Sequence, residues 1–199
     1  MFEVRLHGRG GHGIVTAAEM LAVATYSQGK YAQAFAGFGP ERAGTPTVAY
    51  CRFDEAPIRR REPVLHPDAV IVQDPALLRE VDALEGVRPD GYVLVNSDHE
   101  IDELGLDDLA AHHGLTAVRL QVVPATEIAL RTLGHPLPNT ALLGAFAALT
   151  GAITLEAVET AVLENFAGRV AADNIEAARS AHAFVRYALW DRTSMQAPA

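Results

Sequence analysis

Residues 2–21, FEVRLHGRGGHGIVTAAEML, decide how the chain folds. Phe2, Val4 and Leu6 alternate with Glu3 and Arg5, the two-residue period of a strand. Glycines follow at Gly8, Gly10, Gly11 and Gly13, and from Ile14 to Gln28 the apolar residues recur at helical spacing. Gly29 then offers the left-handed conformation that ends a helix cheaply. Gly8, Gly10 and Gly13 satisfy G-x-G-x-x-G between a strand and a helix, the context that lifts such a match above noise. Without side chains there the backbone turns tightly, and free amides at a helix N-terminus suit a phosphate or carboxylate. Arg9 and His12 add charge and hydrogen-bonding capacity to the same loop.

A dinucleotide site also needs an acidic residue about 20 positions further on, at the end of the second strand, to hold ribose hydroxyls. That region reads KYAQAFAGFG, with no carboxylate before Glu41. Three readings stay open on spacing alone: a nucleotide-binding oxidoreductase, a purely structural glycine turn, and a turn facing some other ligand or surface.

Working outward, KYAQAF (30–35) is a second strand and AGFGPERAGTPT (36–47) is too rich in Gly and Pro for regular structure. TVAYCRF (47–53) is a third strand. DAVIVQDP (68–75) is a short apolar strand ending in Asp74-Pro75, a helix-start signal for ALLREVDAL (76–84). GYVLVN (91–96) is a buried strand, a helix begins near Asp107, and LTAVRLQVV (115–123) is a further strand. From Pro124 to about Trp190 the pattern is helical, broken at Gly134–Pro138, at Gly151 and around Gly168. Strands alternating with helices predict an α/β fold with a Rossmann-like, mainly parallel sheet flanked by helices and a helical C-terminal part. One domain is expected over residues 1–190, with a flexible tail at 191–199.

Composition narrows the function classes. A net charge of −9 repels polyphosphate backbones and argues against nucleic acid. The longest apolar region, TALLGAFAALTGAITL, is interrupted and falls short of the roughly 20 residues that cross a bilayer, and the N-terminus lacks a signal-peptide block. No membrane association is expected, and the lone cysteine, Cys51, fits a reducing cytoplasm. One thiol forms no internal disulfide, and an ordinary iron–sulfur cluster takes about four.

The stretch HGRGGHGIVTAAEMLAVATYSQGKYAQAFAGFGPERAGTPTVAYCRFDEAPI (7–58) closely resembles the gamma subunit family of pyruvate:ferredoxin oxidoreductase and relatives acting on other 2-oxoacids. Its glycine turn, VTAA, YAQAF, the FG-x-ER-x-G-x-P loop and R-x-D-x-x-PI occur in the family's order. The similarity resumes at PDAVIVQDPALL, GYVLVNS, ATEIAL, LPNTALLGAFAALTG and NIEAARSA, so it covers nearly the whole chain. His12 stands where the family commonly has Gln, and Ala36-Gly37 replace a Pro and a bulky aromatic.

The resemblance implies one subunit of an enzyme that reversibly converts a 2-oxoacid, pyruvate first, plus CoA to acyl-CoA and CO2, passing electrons to ferredoxin. It implies alpha, beta and delta-type partner subunits. The complex is expected to use thiamine diphosphate, Mg2+, 4Fe-4S clusters and coenzyme A, with no cofactor bound by this chain alone and no catalytic residue on it. Gly8, Arg9, Gly10, Gly11, His12 and Gly13 then form a loop facing CoA phosphates or a neighbouring subunit, and Glu41 and Arg42 an interface or ligand loop. A non-catalytic scaffold of the same fold is the remaining alternative, since fold alone does not fix function.

Other residues take plainer readings. Arg59, Arg60 and Arg61 read as a solvated basic turn, with CoA phosphate or an acidic partner as the functional option. His112 and His113 are adjacent, diverge by about 100° on a helix and share no metal ion, so no metal site is assigned. Phe35 and Phe38 read as core or interface aromatics rather than a stacking platform.

Overall fold

The computed structural model describes residues 1–37, 43–115 and 119–196. Strand β1 (Phe2–Arg9) lies inside a six-stranded sheet of order β2-β3-β1-β4-β5-β6. Its neighbours are β2 (Tyr31–Ala36), β3 (Pro46–Asp54), β4 (Ala69–Val72), β5 (Tyr92–Asn96) and β6 (Leu120–Val123). The β1–β4, β4–β5 and β5–β6 pairs are parallel, while β3 runs antiparallel to both β1 and β2. The sheet is therefore mainly parallel with one reversed strand, and that strand separates β2 from β1.

The helices divide between the two faces. On one face, α1 (Ile14–Ser27), α5 (Asn139–Thr150), α6 (Leu155–Asn165) and α7 (Gly168–Gln196) bury Val4 and Leu6 of β1 and Ala49, Cys51 and Phe53 of β3. Helix α5 is apolar all round because it is enclosed: Leu142, Leu143 and Phe146 are each at most 2% exposed. Its Gly144 permits backbone contact with α7, since a Cβ there would stand 2.1 Å from the Ala178 carbonyl oxygen. On the other face, α2 (Leu77–Glu80) and α3 (Leu106–His112) cover Val70, Val72, Val93, Val95, Leu120 and Val122. Helix α4 (Ala125–Leu133) follows β6 and packs on α5 and α7.

Two expectations need correction. The helix over 76–84 shrinks to Leu77–Glu80, because Val81 is already extended and the chain turns so that the Ala83 and Glu85 carbonyls accept from Arg5 at 3.1 and 2.5 Å. The strand over 115–123 is regular only from Leu120, with 116–118 outside the described residues. Helix α7 runs to Gln196, and within it the Arg192 guanidinium donates to the Leu120 carbonyl at 2.8 Å, with 197–199 outside the described residues.

Candidate functional site

The glycines of the turn serve different ends. Gly8 is still in β1, paired with Thr47, and needs space rather than unusual dihedrals: a Cβ would lie 2.4 Å from Gln73 Oε1 and 3.0 Å from Ile14 Cβ. Gly11 and Gly13 adopt φ of +84° and +74°, where L side chains are strained. Gly10 is pinned by backbone, its amide donating to the Thr45 carbonyl and its carbonyl accepting from Gly44, both at 2.9 Å. The His12 amide turns inward to the Arg9 carbonyl at 3.0 Å. Among the described residues the amides of Gly11 and Gly13 have no protein partner, and the uncapped start of α1 opens on a depression of about 260 Å³ lined by Arg9, Gly11, Val15 and Thr47.

Arg9 is committed within the chain. Its Nε donates to the Asp74 carboxylate, and its terminal nitrogens donate to Glu80 at 2.6 and 3.2 Å and to the Gly44 carbonyl at 3.2 Å. Hydrogen bonds to Glu80 and then Asp74 raise its pKa further above an already cationic value. The guanidinium thus ties the glycine turn to α2 and to the 43–45 turn, with two carboxylates compensating its charge.

Helix α1 leaves β1 toward one face and α2 leaves β4 toward the other, so the carboxyl ends of these adjacent strands form a topological switch point, where open α/β sheets place ligands. The residues gathered there are amides and hydroxyls. Gln73 Nε2 donates to the His12 carbonyl at 2.9 Å and to Asn139 Oδ1 at 2.5 Å, while Asn139 Nδ2 donates to the same carbonyl at 3.2 Å. Asn96 Nδ2 donates to the Gln73 carbonyl and Thr126 Oγ1, both at 2.8 Å, and its Oδ1 accepts from the Thr126 amide at 3.0 Å. That last bond caps α4, whose own N-cap is Pro124.

A crevice of about 230 Å³ lies over this network, edged by His12, Asp74, Pro75, Pro136 and Pro138. Gln73 is 4% exposed and its Oε1 has no partner among the described residues. Such a lining orients neutral polar groups by hydrogen bonding. Among the described residues Asp74 is the one carboxylate of the lining and is engaged by Arg9, and the exposed His12 is the other ionisable side chain there.

Sequence reading located His12 and the glycines but missed Gln73, Asn96, Thr126 and Asn139. The signal was a polar residue closing an apolar strand run, in VIVQ and VLVN, which is where a switch-point side chain emerges. Glu41, Arg42 and Phe38 lie outside the described residues. Arg59, Arg60 and Arg61 are exposed, with Arg60 3.8 Å from Glu62. Phe35 is half-buried, 5.1 Å from the Tyr50 ring and capped by Arg52. Cys51 is fully buried and burial raises its thiol pKa, which keeps it protonated and inert. No group of three or more His, Cys, Asp or Glu is arranged for a metal among the described residues. None of the described helices is long and apolar enough to cross a membrane.

Residues 3–184 match the pyruvate ferredoxin/flavodoxin oxidoreductase family model. The common gamma subunit of the pyruvate/ketoisovalerate oxidoreductases of Pyrococcus abyssi is 48% identical, over 91% of this chain and 95% of its own. Pyruvate synthase subunit PorC of Methanothermobacter thermautotrophicus is 44% identical, over 92% of this chain and 94% of its own. The crystal structure of pyruvate oxidoreductase subunit PorC from Thermotoga maritima superposes with a TM-score of 0.78 at 36% identity, covering 92% of this chain and 95% of that one.

Proposed function

We propose that this chain, which belongs to the pyruvate ferredoxin/flavodoxin oxidoreductase family, is the gamma subunit of a 2-oxoacid:ferredoxin oxidoreductase. The observation that carries this is 48% identity to a gamma subunit along 95% of that subunit's length. The complex takes a 2-oxoacid and CoA to acyl-CoA and CO2, with two electrons going to ferredoxin. Pyruvate is the first substrate to test, since PorC relatives are named for pyruvate synthase.

In this reading the chain contributes assembly and a surface on the CoA side, within a soluble cytoplasmic complex of alpha, beta and delta-type subunits. Thiamine diphosphate, Mg2+ and 4Fe-4S clusters belong to the partner chains. A cluster does not fit this one, whose single thiol is sealed in the core. The nucleotide-binding alternative loses support from the topology: β3 stands between β1 and β2, so the strand that would bring a carboxylate to the ribose is not beside the glycine turn. With Arg9 compensated by two carboxylates, the turn is best suited to a neighbouring subunit, its amide-lined crevice being open to neutral parts of a ligand.

Native pull-down with identification of co-purifying chains tests the assignment. Recovery of a thiamine-binding pair and a cysteine-rich ferredoxin-like chain is expected, and 2-oxoacid-dependent dye reduction should follow the complex and be absent from the lone chain. Turnover by the isolated polypeptide would reject the reading.

A further inference from the structure

We infer that the outer edge of β2 seats an extended strand from a neighbouring subunit, continuing the sheet across the subunit boundary. The two ends of the sheet are treated differently. At the β6 end, Ser97 donates to the Val123 carbonyl, so β6 turns the carbonyls of residues 121 and 123 toward β5 and those of Leu120 and Val122 outward. Both outward carbonyls are closed, Leu120 by Arg192 at 2.8 Å and Val122 by the Gln121 side-chain amide at 2.6 Å.

At the β2 end, Gly37 donates to the Val48 carbonyl at 2.7 Å, which makes 37 and 48 a hydrogen-bonded pair. Bonded pairs alternate in an antiparallel ladder, so Tyr31, Gln33 and Phe35 also turn their backbone toward β3. Ala32, Ala34 and Ala36 therefore present their amides and carbonyls outward, and none of these groups has a partner among the described residues. Proteins that leave an edge in water blunt it with Lys, Pro or a bulge. From Tyr31 to Ala36 there is no charge and no proline, and the register with β3 is unbroken. The edge is also stiff: Phe35 and Tyr50 pack ring to ring behind it and Arg52 lies over Phe35.

The size of the edge decides the occupant. A six-residue strand is about 20 Å long and, paired once, buries on the order of 400 Å² in total, against about 1,200 Å² for a stable specific interface. A second copy of this chain joined only through β2 falls short. The subunit assignment supplies an occupant that clears it, a partner subunit that also docks on neighbouring surface, and the exposed Tyr31 with the partly buried Gln33 and Phe35 offers its strand an uncharged row to lie against.

This rests on the subunit assignment above, and the test separates the two. Amide hydrogen exchange is measured over residues 31–36 in the isolated chain and in the complex purified by native pull-down. The expected result is that the amides of Ala32, Ala34 and Ala36 exchange rapidly in the lone chain and slow by about tenfold or more on assembly. Ala34→Pro removes only an outward donor, which an edge strand tolerates, so the lone variant should keep its thermal midpoint while recovering less partner. A complex in which these amides exchange as fast as in the lone chain overturns strand addition and leaves the subunit assignment standing. Failure to recover thiamine-binding partners sinks both. Concentration-dependent protection in the lone chain would make the occupant a second copy and overturn the partner strand.

Discussion

Gly8→Ala should destabilise the chain through Gln73, and the size of the effect follows from the contacts. Gly8 has no positive φ, so alanine meets no backbone strain and would gain about 0.4–1 kcal/mol from the stiffer unfolded chain. Against that, the new methyl would stand 2.4 Å from Gln73 Oε1, and the side chain must swing away from its bonds to the His12 carbonyl and Asn139. Two part-buried hydrogen bonds at about 1 kcal/mol each, with a squeeze on Ile14 at 3.0 Å, outweigh the gain. The net loss is about 1–3 kcal/mol, a fall in Tm of roughly 3–10 °C for a domain of this size, read by thermal denaturation of the lone chain. Gln73→Ala carries the same test further: in that background Gly8→Ala should cost less, with a coupling of about 1 kcal/mol in a double-mutant cycle. Additive effects, or a Gly8→Ala Tm at or above wild type, would refute the claim that Gly8 is small to admit Gln73.

Gly144→Ala gains about 1 kcal/mol of helix propensity, yet its Cβ would strike the α7 backbone at Ala178, so chemical denaturation should show a net loss of about 1–3 kcal/mol. Burial, and then the neighbouring Arg5 cation, push His7 down to about 4, so between roughly pH 6.5 and 4 the unfolded chain binds a proton that the folded one does not. Stability should accordingly fall as pH drops through that window, by on the order of 3 kcal/mol from this group, and His7→Gln should flatten the Tm difference between pH 7 and 5. Arg9→Ala releases Asp74 and Glu80 and frees the glycine turn; in the assembled enzyme it should weaken subunit retention or raise the CoA concentration needed, and no change in either removes the turn from the interface.

Much of the fold is legible because burial writes itself into periodicity. Val4 and Leu6 alternate with Glu3, Arg5 and His7 because the apolar set meets the α1 core while the polar set, also buried, lies on the other face, where Glu3 pairs with Arg52 and Arg5 with the Ala83 and Glu85 carbonyls; the breaks at Gly134, Gly151 and Gly168 are left-handed glycines in the structure. The short α2 was not legible because what stops it is distant: Arg5 draws the Ala83 and Glu85 carbonyls into a loop, although the local sequence favours helix. Strand order was hidden for the same reason, since the pairing of Val4 with Cys51 joins residues far apart in sequence. The glycine turn could be seen, while the amides it leans on could not. Gln73, Asn96 and Asn139 belong to separate segments and meet only when the carboxyl ends of β4 and β5 line up beside α5.

The reversed strand explains how a glycine pattern shared with dinucleotide sites serves a different end here. In a dinucleotide fold the second strand lies beside the first, and its terminal carboxylate faces the turn. Here that neighbouring lane is taken by β3, whose end at Pro46 pairs with Arg9 and whose preceding residues Gly44 and Thr45 clasp Gly10. The clasp consumes an amide that a pyrophosphate would need, and Arg9 is turned to Asp74 and Glu80. The displaced β2 becomes the sheet's edge and carries uncharged backbone outward. One change of strand order thus both withdraws the ribose partner from the turn and leaves an uncharged strand at the edge of the sheet.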